Sequence, residues 1–136
     1  MRYWLGVVSK EHVLKGVAGN FAQVCHGKKG PLSKMKKGDW LIYYSPGDKM
    51  GESNLKAFTA IGKISDDEIF QFKMAPNFIP FRRKVDYLVG YLELPLSTIK
   101  SRLELCKESS WGYKLRRGLI ELSESDFDLI KKAMEQ

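Results

Sequence analysis

Gly38-Asp39-Trp40-Leu41-Ile42-Tyr43-Tyr44-Ser45-Pro46 is the stretch that decides the fold. It is a short apolar and aromatic run that begins after one turn signal and ends before another. A run of this length between turn residues predicts a buried strand. Five lysines lie in the loop before it: Lys28, Lys29, Lys34, Lys36 and Lys37. Because tyrosines at the strand's exit would lie beside this positive charge, we interpret the strand as one wall of a pocket for a flat ligand attached to negative charge.

The whole chain has the size and composition of one ordinary globular domain, residues 1–136, with 43% apolar and 29% charged residues. No segment approaches the ~18 uninterrupted apolar residues that crossing a bilayer requires, and the first residues lack the features of a secretory signal. We therefore expect a cytoplasmic protein that does not contact membranes. The net charge of +7 favours an anionic partner.

The cysteines and histidines do not predict a metal site. Cys25 and Cys106 are the only cysteines, His12 and His26 the only histidines, and their spacing matches no zinc motif. Reduced thiols are expected inside a cell. A cysteine nucleophile would need a nearby base and acid, which the spacing does not supply. We predict no metal, no cofactor and no enzymatic activity.

The order of the predicted elements indicates the fold class. Strands are expected at residues 3–8, 21–25, 40–44, 56–64, 69–74, 82–88 and 119–122, and short helices at residues 10–15, 32–35, 96–105 and after Ser123. Ser65-Asp66-Asp67 is predicted to turn the chain between two strands of a hairpin. Because regular strand–helix–strand repeats are missing, a doubly wound parallel sheet is not expected. We predict an α+β fold, a small, strongly curved mixed sheet or barrel flanked by short helices.

The two later helices have clear sequence signals. Ser123 is expected to cap the C-terminal helix, with Asp126 in the reciprocal capping-box position and a buried stripe of Phe127, Ile130 and Met134. The helix at residues 96–105 is expected to bury Leu96, Ile99 and Leu103.

Several ordered motifs together resemble a known family. They are Trp4 through Val13, Phe21-Ala22-Gln23-Val24-Cys25-His26-Gly27-Lys28, Gly38-Asp39, Tyr43 through Pro46, Phe58 through Gly62, Phe81-Arg82-Arg83, Trp111-Gly112 and Arg117-Gly118. In this order the sequence resembles the EVE domain, a member of the PUA-like superfamily, almost from end to end. The resemblance implies a PUA-like pseudo β-barrel. It also implies a pocket similar to that of the YTH domain, which recognises a methylated base in RNA.

EVE domains are thought to bind modified bases, particularly modified cytosine in DNA, and some are fused to nucleases. The resemblance therefore implies a nucleic-acid partner, DNA or RNA, that carries a modified base. This chain has no room for a nuclease, so cleavage would need a separate nuclease or modification enzyme. We expect the protein itself to be a monomer.

A base that leaves its stack needs a flat slot and hydrogen bonds at its edge. The resemblance implies that the region of Ser9, His12, Gln23 and His26 borders the base pocket. The candidate pocket residues are these four with Phe21, Tyr44, Ser45, Phe78 and Arg82. Gln23 is a candidate reader because its amide can both donate and accept. Core packing is the competing interpretation for the rings, and Trp4, Trp40 and Phe58 are expected to be core.

Arginines and lysines outside the pocket are the candidate phosphate contacts: Lys28, Lys29, Lys114, Arg116 and Arg117. A solvated surface is their alternative interpretation. Arg82 and Arg83 are adjacent on a predicted strand, so at most one is expected to point inward; we place Arg82 at the pocket and Arg83 outside.

These observations predict a binding module that reads an extruded modified base, for example methylated or hydroxymethylated cytosine. Two alternatives stay open. One is a sensor that binds a free nucleoside-like molecule without binding a polymer, which a neutral rim would favour. The other is an enzyme that uses Cys25 or His26, which a convergent polar cluster with perturbed titration would favour.

Overall fold

The computed structural model describes residues 1–135. Its strands are β1 (Tyr3–Val7), β2 (Phe21–Ala22), β3 (Trp40–Ser45), β4 (Ala57–Gln71), β5 (Phe81–Tyr87), β6 (Leu94–Pro95) and β7 (Leu119–Leu122). The α-helices are α1 (Lys10–Gly19), α2 (Lys29–Ser33), α3 (Trp111–Lys114) and α4 (Glu124–Met134). Short 3₁₀ turns occupy Cys25–Gly27, Leu96–Thr98, Lys100–Arg102, Leu105–Lys107 and Leu115–Arg117.

The predicted buried strand is confirmed as β3, at the middle of the sheet. β3 pairs in parallel with β1 and antiparallel with β4, so its backbone groups are bonded on both sides. The strand order is β2-β5-β4-β3-β1-β7, with β6 beside β4. Strand β3 is buried from Leu41 to Ser45 because both of its faces are covered.

The sheet is mixed and flanked by short helices, as predicted, but it is open. It ends at β2 on one side and at β7 on the other, and these two strands do not pair with each other. The barrel that we expected is therefore not confirmed, whereas the α+β class is.

Two apolar clusters lie on opposite faces of the central strands. Ile42 and Tyr44 of β3 point into one cluster, which α4 covers. Leu41 and Tyr43 point into the other, which α1 and α2 cover. This alternation follows from the two-residue period of a strand, and it makes the β3 segment part of both cores.

The hairpin predicted within residues 56–74 is wrong, because β4 runs as one strand through Ser65-Asp66-Asp67. Two neighbouring elements use the polar groups of this segment. The backbone amide of Lys37 donates to Asp67 Oδ1 at 2.9 Å, and Arg83 donates to the carbonyl of Asp66. Strand β5 pairs with both halves of β4, and the register shifts between Ile64 and Ile69.

The helix predicted at residues 96–105 is a series of 3₁₀ turns, although Leu96, Ile99 and Leu103 are buried as expected. Asp126 explains part of the difference. Its carboxylate accepts hydrogen bonds from the amides of Glu104 and Leu105, at 2.8 and 2.9 Å, and so holds the segment from outside. Ser123 does cap α4 by accepting from the amide of Asp126 at 3.2 Å.

None of the helices in the described part of the chain has the length and apolarity that crossing a lipid bilayer requires.

Candidate functional site

A cavity of about 410 Å³ opens where β1 ends and α1 begins. Residues 7–9 form its inner wall, and the segment from Gln23 to Lys28 forms one side. Residues 46, 47, 49–52 and 115–118, with Met74 and Phe78, complete the lining. The volume lies within the range of about 300–1,000 Å³ that is usual for small-molecule sites.

Ser9 places an unpaired hydroxyl at this cavity. Its Oγ is buried and has no hydrogen-bond partner among residues 1–135. Ser9 precedes α1 at the N-cap position, yet its side chain does not accept from the first turn of the helix. Because buried polar groups are nearly always paired, the Ser9 hydroxyl lacks the partner that such a group usually has, and its residue lies in the wall of the cavity.

A left-handed turn forms one side of the cavity. Cys25, His26 and Gly27 have φ of 51°, 60° and 80°, so the extended chain that we predicted through Cys25 is wrong at that residue. Neighbouring groups hold the turn in place. Cys25 Sγ donates to the carbonyl of Arg117 at 3.2 Å, and an added Cβ on Gly118 would lie 2.6 Å from that sulfur. Strained backbone of this kind concentrates at functional sites.

The Cys25 thiol is poorly suited to attack a substrate. Burial raises its pKa above the usual value, and the opposing effect of Lys28 and Lys34 is smaller. A raised pKa keeps the thiol protonated near neutral pH, whereas the thiolate is the nucleophile. This observation disfavours the enzyme alternative.

Arg82 lies beside the cavity, in a narrow aromatic slot. Its guanidinium is 3.8 Å from the ring centre of Phe21 and 4.2 Å from that of Phe72. Its Nε donates to Gln23 Oε1 at 3.1 Å, and burial lowers its pKa. A smaller space of about 40 Å³ adjoins these groups and shares His12, Gln23 and Met74 with the large cavity.

Arg83 is also buried, so our expectation that it lies outside is wrong. Its side chain is the largest of those that are almost fully buried. It donates to the carbonyls of Leu32, Met35 and Asp66. Arg83 does face the opposite side of β5 from Arg82, but that side is covered by the end of α2, whose carbonyls need donors.

Most of the predicted site residues come together. Ser9, His12, Gln23, His26, Phe78, Lys28, Arg116 and Arg117 line the large cavity, and Phe21 and Arg82 line the small one.

Four predicted residues are not in either lining. We expected Tyr44 at the pocket, but it is buried in the core, where its ring centre lies 5.6 Å from that of Phe58. Ser45 is fully buried and its hydroxyl bonds to that of Thr59 at 2.8 Å. Neither residue reaches the cavity, because β3 is an internal strand whose two faces are both covered. Lys114 pairs with Glu108, and Lys29 lies 5.9 Å from the ring of Phe81.

The sequence analysis missed the loop at residues 46–52. This loop follows β3 and contributes Lys49, Met50 and Glu52 to the lining. The carbonyls of Gly47 and Asp48 accept from the first amides of α1, at 3.1 and 2.9 Å, which fixes the loop over the cavity. The signal that could have indicated this loop is its position directly after the buried strand β3.

The rim of the cavity is basic. Lys28, Lys49, Arg116 and Arg117 are all exposed on it, and Glu52 is the one carboxylate in the lining. None of the salt bridges found within residues 1–135 involves these four cations. Their charge is therefore available to an anionic ligand.

The described residues do not contain a group of three or more histidine, cysteine, aspartate or glutamate side chains that could hold a metal ion.

Comparison with known proteins gives consistent matches over nearly the whole chain. The family model described as EVE domain matches residues 2–133. The UPF0310 protein YdcG of Bacillus subtilis (strain 168) is 53% identical over 134 residues, which are 97% of this chain and 91% of the relative. A UPF0310 protein of Streptococcus mutans is 46% identical, with 99% and 98% covered. The names of these two relatives describe no enzymatic activity.

Solved structures share the fold at low sequence identity. A Pseudomonas putida protein has a TM-score of 0.64 and 12% identity, covering 97% of this chain and 99% of the other. The YTH domain of the Zygosaccharomyces rouxii MRB1 protein, in complex with N6-methyladenosine RNA, has a TM-score of 0.62 and 16% identity, with 98% and 88% covered. These likenesses concern the fold alone.

Proposed function

The chain belongs to the EVE domain family, and from that premise we propose that it is a nucleic-acid-binding module that takes one extruded, chemically modified base into the large cavity. The observation that carries the proposal is the combination of an open cavity, an unpaired buried hydroxyl at Ser9 and an exposed basic rim. A base has polar edges and is attached to phosphates, so it uses both features at once.

Stacking would be supplied at the mouth of the cavity. Phe78 is 40% exposed and belongs to the segment between β4 and β5, while Met50 is 63% exposed on the opposite loop. A flat base between a ring and a thioether gains stacking and dispersion, and stacking alone is worth ~1–3 kcal/mol per base. The aromatic contribution is smaller than we predicted, since Tyr44 is in the core.

Phosphate contacts would be supplied by the rim. Lys28, Lys49, Arg116 and Arg117 belong to the lining, and the sugar–phosphate backbone of a base bound in the cavity would lie outside it, beside these charges. Such contacts position the strand and make affinity depend on salt. This basic rim favours a polymer over the alternative ligand, a free nucleoside, whose lack of phosphate would leave these charges unused.

The module would act as a monomer, and any cleavage coupled to binding would come from a separate nuclease. The protonated Cys25 thiol supports a binding role over a catalytic one.

Fluorescence anisotropy with matched oligonucleotides tests the proposal. DNA and RNA of one sequence would carry cytosine, 5-methylcytosine, 5-hydroxymethylcytosine, adenine or N6-methyladenine at one position. We expect a preference of about tenfold or more for one modified base, which corresponds to ~1.4 kcal/mol. Equal and weak binding across the panel would contradict the proposal, and tight, salt-independent binding of the free nucleoside would favour the sensor.

The rim is tested separately with a charge-matched pair of variants. Arg116→Ala with Arg117→Ala should weaken binding to every oligonucleotide and reduce the slope of log affinity against log salt by about 2. The control, Lys107→Ala with Lys132→Ala, removes the same charge from exposed residues that do not line the cavity. It should leave the slope nearly unchanged, and equal effects of the two pairs would show that only net charge matters.

A further inference from the structure

The hydrogen bond between Arg82 and Gln23 decides which way the Gln23 amide faces. Arginine has only donors, so the atom of Gln23 that lies 3.1 Å from Arg82 Nε must be the acceptor, Oε1. The amide nitrogen Nε2 is therefore turned away from Arg82. Amide orientation is often uncertain between the two alternatives, but here the chemistry of the partner permits one.

Arg82 itself has little freedom to move. It is 7% exposed, and the rings of Phe21 and Phe72 hold its guanidinium on two sides. A planar guanidinium stacked in this way is more rigid than an ammonium would be. Arg82 therefore holds the Gln23 amide in place, and Arg82 itself does not line the large cavity.

Gln23 is the residue that connects this clamp to the cavity. It lines both the large cavity and the small space beside Arg82. The bond to Arg82 is the one side-chain hydrogen bond of Gln23 within residues 1–135, so its Nε2 has no partner there. The sequence left the orientation of the Gln23 amide open, and in the structure its oxygen faces Arg82 while its donor nitrogen has no protein partner.

We infer that Gln23 is a specificity-determining residue that donates a hydrogen bond to the ligand, and that Arg82 is the positioning residue that keeps it a donor. The ligand must then present an acceptor, a carbonyl oxygen or an unprotonated ring nitrogen, at this wall of the cavity. The inference rests on the proposed function and adds the chemistry of the base edge that is read. A base edge with only donors at that place is excluded, because two donors would face each other without a partner.

Gln23→Glu removes the donor at residue 23 and is expected to leave the stability of the fold intact. One carboxylate oxygen can replace Oε1 and keep the contact with Arg82, while the other replaces the donor Nε2 with an acceptor. We expect its thermal unfolding midpoint to be equal to or above that of the wild type. Its affinity for the oligonucleotide that the wild type prefers should fall by about 10- to 100-fold.

Gln23→Met is the matched control, because it keeps the length of the side chain and removes both amide groups. Its affinity should also fall, but its unfolding midpoint should drop, since Arg82 loses its hydrogen-bond partner. A deaza analogue of the preferred base, in which C–H replaces one ring nitrogen, or an analogue that lacks one carbonyl, then identifies the acceptor. One analogue should weaken binding to the wild type and leave binding to Gln23→Met unchanged, a coupling that a purely structural role would not produce.

The outcomes distinguish this inference from the proposed function. If the wild type discriminates among modified bases and Gln23→Glu binds equally well, the donor role is wrong while the binding function stands. Loss of affinity in Gln23→Met without any coupling to the analogues also overturns the donor role. If the wild type binds no oligonucleotide in the panel, the proposed function fails and this inference fails with it.

Discussion

Arg82 and Arg83 are neighbours on β5, and both are almost buried, yet their surroundings differ in kind. Arg83 donates from its terminal nitrogens to the backbone carbonyls of Leu32, Met35 and Asp66, and Asp67 Oδ1 lies 3.7 Å from its guanidinium, whereas its Nε has no partner among residues 1–135. Arg82 makes one hydrogen bond, to Gln23, and its remaining stabilisation comes from two rings. The region around Arg83 is closed, and the region around Arg82 adjoins an open cavity.

The difference shows that burial of a charge does not by itself indicate a functional site. A buried arginine needs partners, which can be internal carbonyls or a group that reaches a ligand. Where the partners are carbonyls of α2 and its exit, the arginine stabilises the fold. The partner of Arg82 is a side chain with a second polar atom that has no partner of its own, and this difference is the basis of the site that we propose.

The largest change in stability is expected when Arg83, in the closed region, is replaced. Arg83→Met should destabilise the protein by roughly 3 kcal/mol, since the Met35 and Asp66 carbonyls lose their side-chain donor and a buried carbonyl without a donor costs ~1–3 kcal/mol. Urea unfolding followed by fluorescence measures the change. Arg82→Met, the matched neighbour, should cost only about 1 kcal/mol, the value of a typical hydrogen bond. Equal losses of stability would show that the two environments are not different in the way described.

The next effect concerns Asp39, which secures the loop between α2 and β3 beside the Arg83 carbonyls. Its buried carboxylate accepts from the Trp4 indole at 3.0 Å and from the amides of Lys36 and Arg2 at 2.9 and 3.0 Å. Burial alone would raise the pKa of Asp39, but these hydrogen bonds outweigh it and lower the pKa below its ordinary value of 3.8.

A carboxyl group whose pKa is lowered by folding stabilises the native state above its unfolded pKa. That contribution is lost as the pH falls through the folded value. Asp39→Asn should therefore cost about 2 kcal/mol at pH 7, because one acceptor oxygen becomes a donor. Its stability should also decrease less steeply below about pH 4, where unfolded aspartate titrates. A variant with the wild-type pH profile in urea unfolding would contradict the role of Asp39.

The smallest change in stability is expected at Gly118, which contacts the left-handed turn at the cavity. Gly118 has φ of 76°, and an added Cβ would lie 2.6 Å from Cys25 Sγ. Gly118→Ala should cost about 1–2 kcal/mol of stability through the left-handed backbone alone. It should also weaken oligonucleotide binding, since it displaces the turn at Cys25 from the adjoining Arg117.

Gly112→Ala is the control for that prediction, because an added Cβ there would meet nothing within 4 Å. Gly112 lies in α3, where alanine is the better helix former, so this variant should be neutral or slightly stabilising. Adding Cys25→Ala to Gly118→Ala should recover part of the lost binding if the sulfur contact causes it. Full retention of binding in Gly118→Ala would mean that the turn does not shape the cavity.

Sequence patterns predicted correctly those elements that turn residues or caps within a few positions determine. The turn residues around Trp40–Ser45 and the Ser123 cap of α4 were recognised because their signals lie within a few residues. The helix at residues 96–105 and the hairpin at residues 65–67 were wrong because distant partners act on them. Asp126 holds the first segment, and β5 pairs across the second.

The candidate site followed the same division. Ser9, His12, Gln23 and His26 were identified through the family resemblance and lie together at the cavity. Tyr44 was misplaced because an exit tyrosine on an internal strand faces a covered side. The loop at residues 46–52 was missed because its hydrogen bonds to the start of α1 have no sequence signature.

By itself the sequence determined the buried central strand, the α+β class, the positive charge and the family, because composition, periodicity and motif order are properties of the chain. The tertiary structure alone decided which carbonyls pair with Arg83, that the sheet stays open, and that the Gln23 oxygen faces Arg82. These outcomes depend on which polar atoms meet across tens of residues. Hydrogen-bond donors and acceptors are satisfied in space, and the order of residues along the chain does not specify those pairs.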